Sequence, residues 1–254
     1  MLLAMALTSG AAALIYQVVW MRRLVLVFGS TTLATSTVLV TFLGGLAIGA
    51  WVWGKVADRH VPSSVGIFGL VEAATGAYGL ASGLLFRGID AIYVRLSPAL
   101  EGAPGLGVAA QVLASAVVIV PAAVLMGGTV PLLVRGVASG RAGPSQPTGA
   151  LYGWNTVGAA GGAALATYGL LPAIGLQGAV VMAAVLNLLI GAAALLLDAS
   201  DRRRSDNMPV RGRVPADAGE PAVGGEADPA RRLLVLQALA ASGLAAMAYE
   251  VAWS

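Results

Sequence analysis

An all-α, polytopic membrane helical bundle is predicted by three features of the chain. Hydrophobic residues make up 58% of it and charged residues only 11%, well below the roughly one quarter charged of a typical globular domain. Its mean hydropathy is +0.84. Its apolar runs reach about 20 residues, the length of a helix that crosses a bilayer core of about 30 Å. A soluble chain of 254 residues would need a polar exterior that this composition cannot supply, so its solvent must be lipid. Barrel strands are excluded by length, since they run to about ten residues of alternating polarity.

Seven stretches meet the length test, at 2–20, 31–53, 65–86, 107–134, 148–172, 176–197 and 233–254. The first has no positive residues ahead of it and further spans behind it, so it is predicted to be a retained helix rather than a cleaved signal. The second ends in "WVWGKVADRH", where Trp51 and Trp53 suit an interfacial belt and Gly54, Asp58 and Arg59 form a G-x-x-x-D-R loop. The third carries Glu72 on one helical face with Gly69, Gly76 and Gly79. Such a face admits another helix at close range, so Glu72 is expected to point into the bundle. In the fourth, "VPAAVLMGGTVP" places Pro121, Gly127, Gly128, Thr129 and Pro131 together and predicts a kink. The fifth opens "LYGWNTVGAAGGA", with Asn155 on the face of Gly158 and Gly162, and the sixth sets Asn187 beside Ala183 and Gly191.

Between the sixth and seventh stretches, residues 198–232 are rich in Pro, Gly, Asp and Arg and lack aromatics. Such a segment cannot bury enough apolar surface to order itself and is expected to be a flexible polar linker. The predicted organisation is therefore a six-helix membrane domain over 1–197, the linker over 198–232, and a seventh helix over 233–254. With the N-terminus in the cytoplasm, the cytoplasmic loops hold Lys55, Arg59, Arg135, Arg141 and seven linker arginines, against Arg22, Arg23, Arg87 and Arg95 on the other side. That excess sets the expected orientation.

The seventh helix repeats the first. Ser9, Gly10, Ala12, Ala13, Tyr16, Val18 and Trp20 recur as Ser242, Gly243, Ala245, Ala246, Tyr249, Val251 and Trp253. Six helices, a linker and a return to the first helix is the plan of transporters built from two six-helix halves. On this plan 233–254 opens a truncated second half. Gln17 and Glu250 occupy matching places and each follows a glycine by seven residues, so both are expected to face the bundle.

Ionisable and strongly polar residues inside membrane helices are the default candidates for function, because each is costly to hold in lipid. Glu72, Gln17, Glu250 and Asn155 are the candidate substrate-binding residues on that ground; interhelical hydrogen bonding is the competing role for each. Arg22 and Arg23 suit interfacial anchors. Other chemistries are excluded. Without cysteine and with His60 as the single histidine, the chain has no thiolate or multi-histidine metal site. It has no P-loop, no G-x-S-x-G and no strand–loop–helix glycine fingerprint, so no catalytic motif, cofactor or metal is predicted. Net charge is +3, but the basic residues lie between apolar runs rather than in a stripe, and no nucleic-acid partner is expected.

Five phrases, taken in order, resemble one family: "SGAAALIYQVVWMRRLVLVFGS", "STVLVTFLGGLAIGAWVWGKVADR", "PAAVLMGGTVPLLVRG", "LYGWNTVGAAGGA" and "LLPAIGLQGAVVMAAVLNLLIG". They look like the membrane part of the spermidine-synthase-like membrane proteins, in which a facilitator-like bundle is fused to a synthase. The resemblance implies a facilitator-like six-helix half in a bacterial inner membrane, with a soluble aminopropyltransferase domain elsewhere in the full-length protein. The catalytic motifs of that domain are not in this chain, so no catalytic residue carries over. The implied role is to anchor or serve the missing synthase domain. The alternative is a transporter half that binds or moves a small organic cation such as a polyamine. In the major facilitator superfamily a loop similar to Gly54–Asp58–Arg59 helps lock neighbouring helices; that motif continues with a second glycine and basic residues, whereas Val61, Pro62 and Ser63 follow here.

Overall fold

A computed structural model describes residues 1–28, 32–59, 64–100, 104–138 and 148–206. The predicted seventh helix, and Glu250 with it, lies outside the described residues. Among those described, every regular element is helical: α1 (Leu2–Phe28), α2 (Thr32–Arg59), α3 (Ser64–Leu100), α4 (Pro104–Met126), α5 (Thr129–Ala138), α6 (Thr148–Leu165), a π turn (Ala166–Leu170) and α7 (Leu171–Asp206). Residues Met1–Asp201 form one compact unit, and Arg202–Ser254 a second, of which only the helical start is described.

Five helical segments are long and apolar enough to cross a membrane: Leu2–Val27, Thr35–Arg59, Ser64–Leu96, Gly105–Val137 and Thr148–Arg204. Their outward faces carry exposed apolar side chains such as Val40, Ile48, Leu70, Leu84, Leu113, Val117 and Leu189. In water that surface would be unstable; in lipid it is the expected exterior.

Where the helices come closest, the inner faces present small residues. α1 packs most extensively on α6, and α2 on α4. A methyl group added at Gly158 would collide with the Leu7 carbonyl, and one added at Gly162 with the Ala11 carbonyl. Gly10 meets the backbone of Asn155 in the same way. On the α2–α4 seam, Gly45 lies against Ala123 and Gly49 against the Val124 backbone. Backbones that approach this closely gain van der Waals contact that larger side chains would prevent.

The glycine contacts also fix helix direction. From Leu7–Gly158 to Ala11–Gly162 both numbers rise, so α1 and α6 run parallel. From Gly45–Ala123 to Trp53–Gly128 they rise again, so α2 and α4 are parallel. On α3 and α7, Gly69 faces Gly191 while Gly76 faces Ala184, so this pair is antiparallel.

Two interruptions have local causes. The fourth predicted span breaks at Gly127–Gly128 into α4 and α5. Pro131 lacks an N–H and its ring clashes with the carbonyl four residues earlier, at Gly127, and there two consecutive glycines of low helix propensity let the helix break. Pro121, by contrast, lies inside α4 without dividing it. The second interruption follows α6. Pro172 cannot bond back to residue 168, and the chain widens into the π turn just before it. At Gly175 φ is 67° and ψ −175°, a conformation that only glycine adopts without strain, and it lies at the predicted boundary between the fifth and sixth spans. Beyond it, α7 continues through Asp206 into the segment predicted to be linker, with Arg203 and Arg204 in a last turn that favours positive charge.

Gly158→Ala and Gly162→Ala are expected to destabilise the bundle by about 1–3 kcal/mol each, as overpacked seams do. Gly161→Ala, which meets open space, should be neutral or slightly stabilising. Thermal unfolding of the three variants in one detergent checks the difference; equal melting temperatures would contradict the seam.

Candidate functional site

Glu72 is 2% exposed and sits where α1, α3 and α5 converge. The face predicted for it holds: Gly69 and Gly76 pack on α7, and Gly79 leaves room for the Tyr16 ring of α1. Ser9 of α1 donates to Glu72 Oε1 at 2.6 Å. Thr129, the first residue of α5, donates to the same oxygen at 3.1 Å. The two hydroxyls lie 3.3 Å apart. The break at Gly127–Gly128 is what makes this possible, because it turns Thr129 out of the α4 ladder and sets the positive end of α5 toward the carboxylate. Oε2 of Glu72 is buried with no hydrogen-bond partner.

Further along the α1–α3 seam the polar contacts continue. Trp20 Nε1 donates to Ser82 Oγ at 3.3 Å, and Ser82 donates to the Gly79 carbonyl at 2.6 Å. Tyr16 and Trp20 stack with ring centroids 4.9 Å apart, and both are fully buried. Tyr78 reaches the Val118 carbonyl of α4 at 2.8 Å, and Trp53 of α2 the Val124 carbonyl at 2.9 Å. Indole and phenol donors of this kind cross-link helices in a medium with no water to compete.

The other candidates are distributed differently. Asn155 Nδ2 donates to the Ala6 carbonyl at 3.1 Å, a bond that ties α6 to α1. Gln17 is half-buried, beside the fully buried Tyr16. Neither Gln17 nor Asn155 is among the hydrogen-bond partners of Glu72 Oε1. A cavity of about 710 Å³ opens beside Met21, Arg22, Leu26 and Gly175. Arg22 is 13 residues beyond Ser9 on α1, about 20 Å along the axis, so that cavity is remote from Glu72.

Gly54, Asp58 and Arg59, predicted to form a loop, lie instead in the last turns of α2, since no proline stops the helix before Pro62; there Asp58 accepts from Arg135 Nε of α5 at 2.8 Å and pairs with its Nη2. This pair joins α2 to α5. Arg59 is exposed, and nothing packs within 4 Å of where a Gly54 side chain would begin. Both partners of the pair are substantially exposed, so its effect on stability is small.

Ser9 and Thr129 are the site residues that sequence spacing alone did not single out. Serine and threonine are unremarkable in apolar helices; the one available signal was the helix-breaking "GGTVP", which exposes Thr129 at a new helix start. No known family model matches the chain, and neither does any curated protein or solved structure.

Ser9→Ala and Thr129→Val are each expected to lower stability by about 1 kcal/mol, the usual worth of an interhelical hydrogen bond in a membrane. The double variant should lose more than the sum, because it leaves the buried Oε1 without any donor. A double-mutant cycle on unfolding in detergent measures this, and strict additivity would show that the hydroxyls act separately.

Proposed function

We propose that this chain is a six-crossing, facilitator-like membrane module of the spermidine-synthase-like membrane proteins, and that it holds a synthase domain at the bilayer of a bacterial inner membrane. The observation that carries the reading is the way the family-like phrases meet. Ser9 and Gly10 of the first lie against Thr129 of the third and Asn155 of the fourth. Gly45 and Gly49 of the second lie against Ala123 and Val124 of the third. The fifth supplies Gly191, which faces Gly69 of α3. Phrases scattered over the chain are the contact surfaces of one bundle, which supports reading them as a single module.

The six-crossing count rests on the helix directions and on length. The segment Thr148–Arg204 spans 57 residues, about 85 Å as a straight helix and nearly three times the thickness of a bilayer core. Trp20 bonds Ser82 as Ser9 bonds Glu72, so α1 and α3 are parallel. Since α6 runs parallel to α1 and α7 antiparallel to α3, the chain reverses between α6 and α7. Gly175 is the residue there with the conformation a reversal needs. The cytoplasmic N-terminus follows from the arginine distribution.

Topology is checked by single cysteines, which are unambiguous in a cysteine-free chain. Thr148→Cys and Ser200→Cys should react with an impermeant maleimide from the cytoplasmic side and Ile174→Cys from the opposite side; the same sidedness for Ile174 and Ser200 would defeat the six-crossing reading. The anchoring role predicts an aminopropyltransferase domain encoded in the same reading frame or in an adjacent gene. A frame and neighbourhood without one would count decisively against it.

A further inference from the structure

We propose that Glu72, together with Ser9, Thr129 and Asn187, binds a single small monovalent cation, a proton or a sodium ion, inside the bundle. This site stands apart from the anchoring role, since it needs no synthase domain.

Three buried oxygens without hydrogen-bond partners lie along two turns of α3: Oε2 of Glu72, Oδ1 of Asn187 and Oη of Tyr16. Asn187 reaches α3 at Gly76, one turn beyond Glu72, and Tyr16 at Gly79. Two of these are acceptors left unpaired in a medium without water, where each such group is costly. A carboxylate is costlier still, and among the described residues no basic side chain pairs with it. On α5, Arg135 is taken up by Asp58. On α2, Lys55 lies over the Trp51 ring at 3.6 Å. On α7, Asp198 lies near Gly66, six residues before Glu72; on α1, Tyr16 lies two turns beyond Ser9, and Arg22 and Arg23 lie 13 and 14 residues beyond it, about 20 Å along the axis. One bound cation would neutralise Glu72 and give its free oxygen a partner.

The surroundings suit such an ion. The hydroxyl oxygens of Ser9 and Thr129 stand 2.6 and 3.1 Å from Glu72 Oε1 and 3.3 Å from each other, and while donating to the carboxylate each keeps lone pairs that a hard cation can take as ligands. The site is also at a discontinuous helix, where carbonyls escape the helical ladder: Pro131 cannot donate to the Gly127 carbonyl. Broken helices near the middle of a membrane are a recurrent setting for ion sites. Ser9 lies seven residues inside the start of α1, about 10 Å along its axis. A small ion is specified rather than an organic one, because Glu72 is 2% exposed and lines no part of the large cavity at Arg22.

Dicyclohexylcarbodiimide, which enters membranes and attacks protonated carboxyl groups, provides the test on the full chain in liposomes, with the adduct located by peptide mass spectrometry. A proton site predicts labelling of Glu72 that falls about tenfold per pH unit above its half-point. A sodium site predicts labelling slowed about tenfold or more by sodium chloride, but not by choline chloride, once the ion exceeds its dissociation constant by that factor. Glu72→Gln should remove the adduct, and Ser9→Ala, which keeps the acid, should shift whichever profile is found. Labelling insensitive to pH and to sodium, absence of an adduct at Glu72, or a Ser9→Ala profile identical to the wild type would each overturn the site.

Discussion

Helices in a bilayer gain little by burying apolar side chains against one another, because lipid tails are as apolar as leucine. The bundle therefore depends on backbone-to-backbone contact, and that contact depends on residues with little or no side chain. Gly10, Gly158 and Gly162 bring α1 onto α6; Gly45, Gly49 and Gly127 bring α2 onto α4; Gly69, Gly76 and Gly191 bring α3 onto α7. Each seam is set at a distance that a single methyl group would violate. With 34 glycines in the chain, the loss in helix propensity is large, but in lipid a helix has no competing hydrogen-bond partner and the penalty is tolerated.

Close seams leave few places for polar groups, and those present are concentrated. The same small residues that draw α3 into the bundle carry Glu72 to the junction of three helices. There the carboxylate meets two hydroxyls, and one of its oxygens goes unpaired. Replacing the acid with a hydrocarbon would remove a costly group, so its presence is not explained by packing alone. The break between α4 and α5 has the same character. It forfeits helical hydrogen bonds, yet it places Thr129 on Glu72 and lets Gly127 and Gly128 approach Leu46 and Trp53 of α2.

Several features were legible in the residues because they follow from covalent chemistry or from period. Pro131 and the Gly-Gly pair foretold a kink in the fourth span, which the structure turns into a full break, and the spacing of Gly69, Glu72, Gly76 and Gly79 foretold a buried acid. The position of the interruption was less legible: Pro121, also in an apolar run, stays within a helix. Asn155 and Gln17 shared Glu72's kind of signal and have different surroundings, one closing a bond to a backbone carbonyl and the other half-buried. Spacing tells which face a residue occupies but not which neighbour meets it.

By itself, then, the sequence determined the solvent, the helical class, the apolar segments and the faces along which helices could approach, since hydropathy, period and proline or glycine chemistry are properties of a few consecutive residues. Only the tertiary structure decided that Ser9, Glu72 and Thr129, separated by 63 and 57 positions, share one oxygen, and that Asp58 at the end of α2 pairs with Arg135 of α5. Those pairings are products of helix direction and register. In a chain whose closest seams are rich in glycine and alanine, no local pattern distinguishes one partner helix from another.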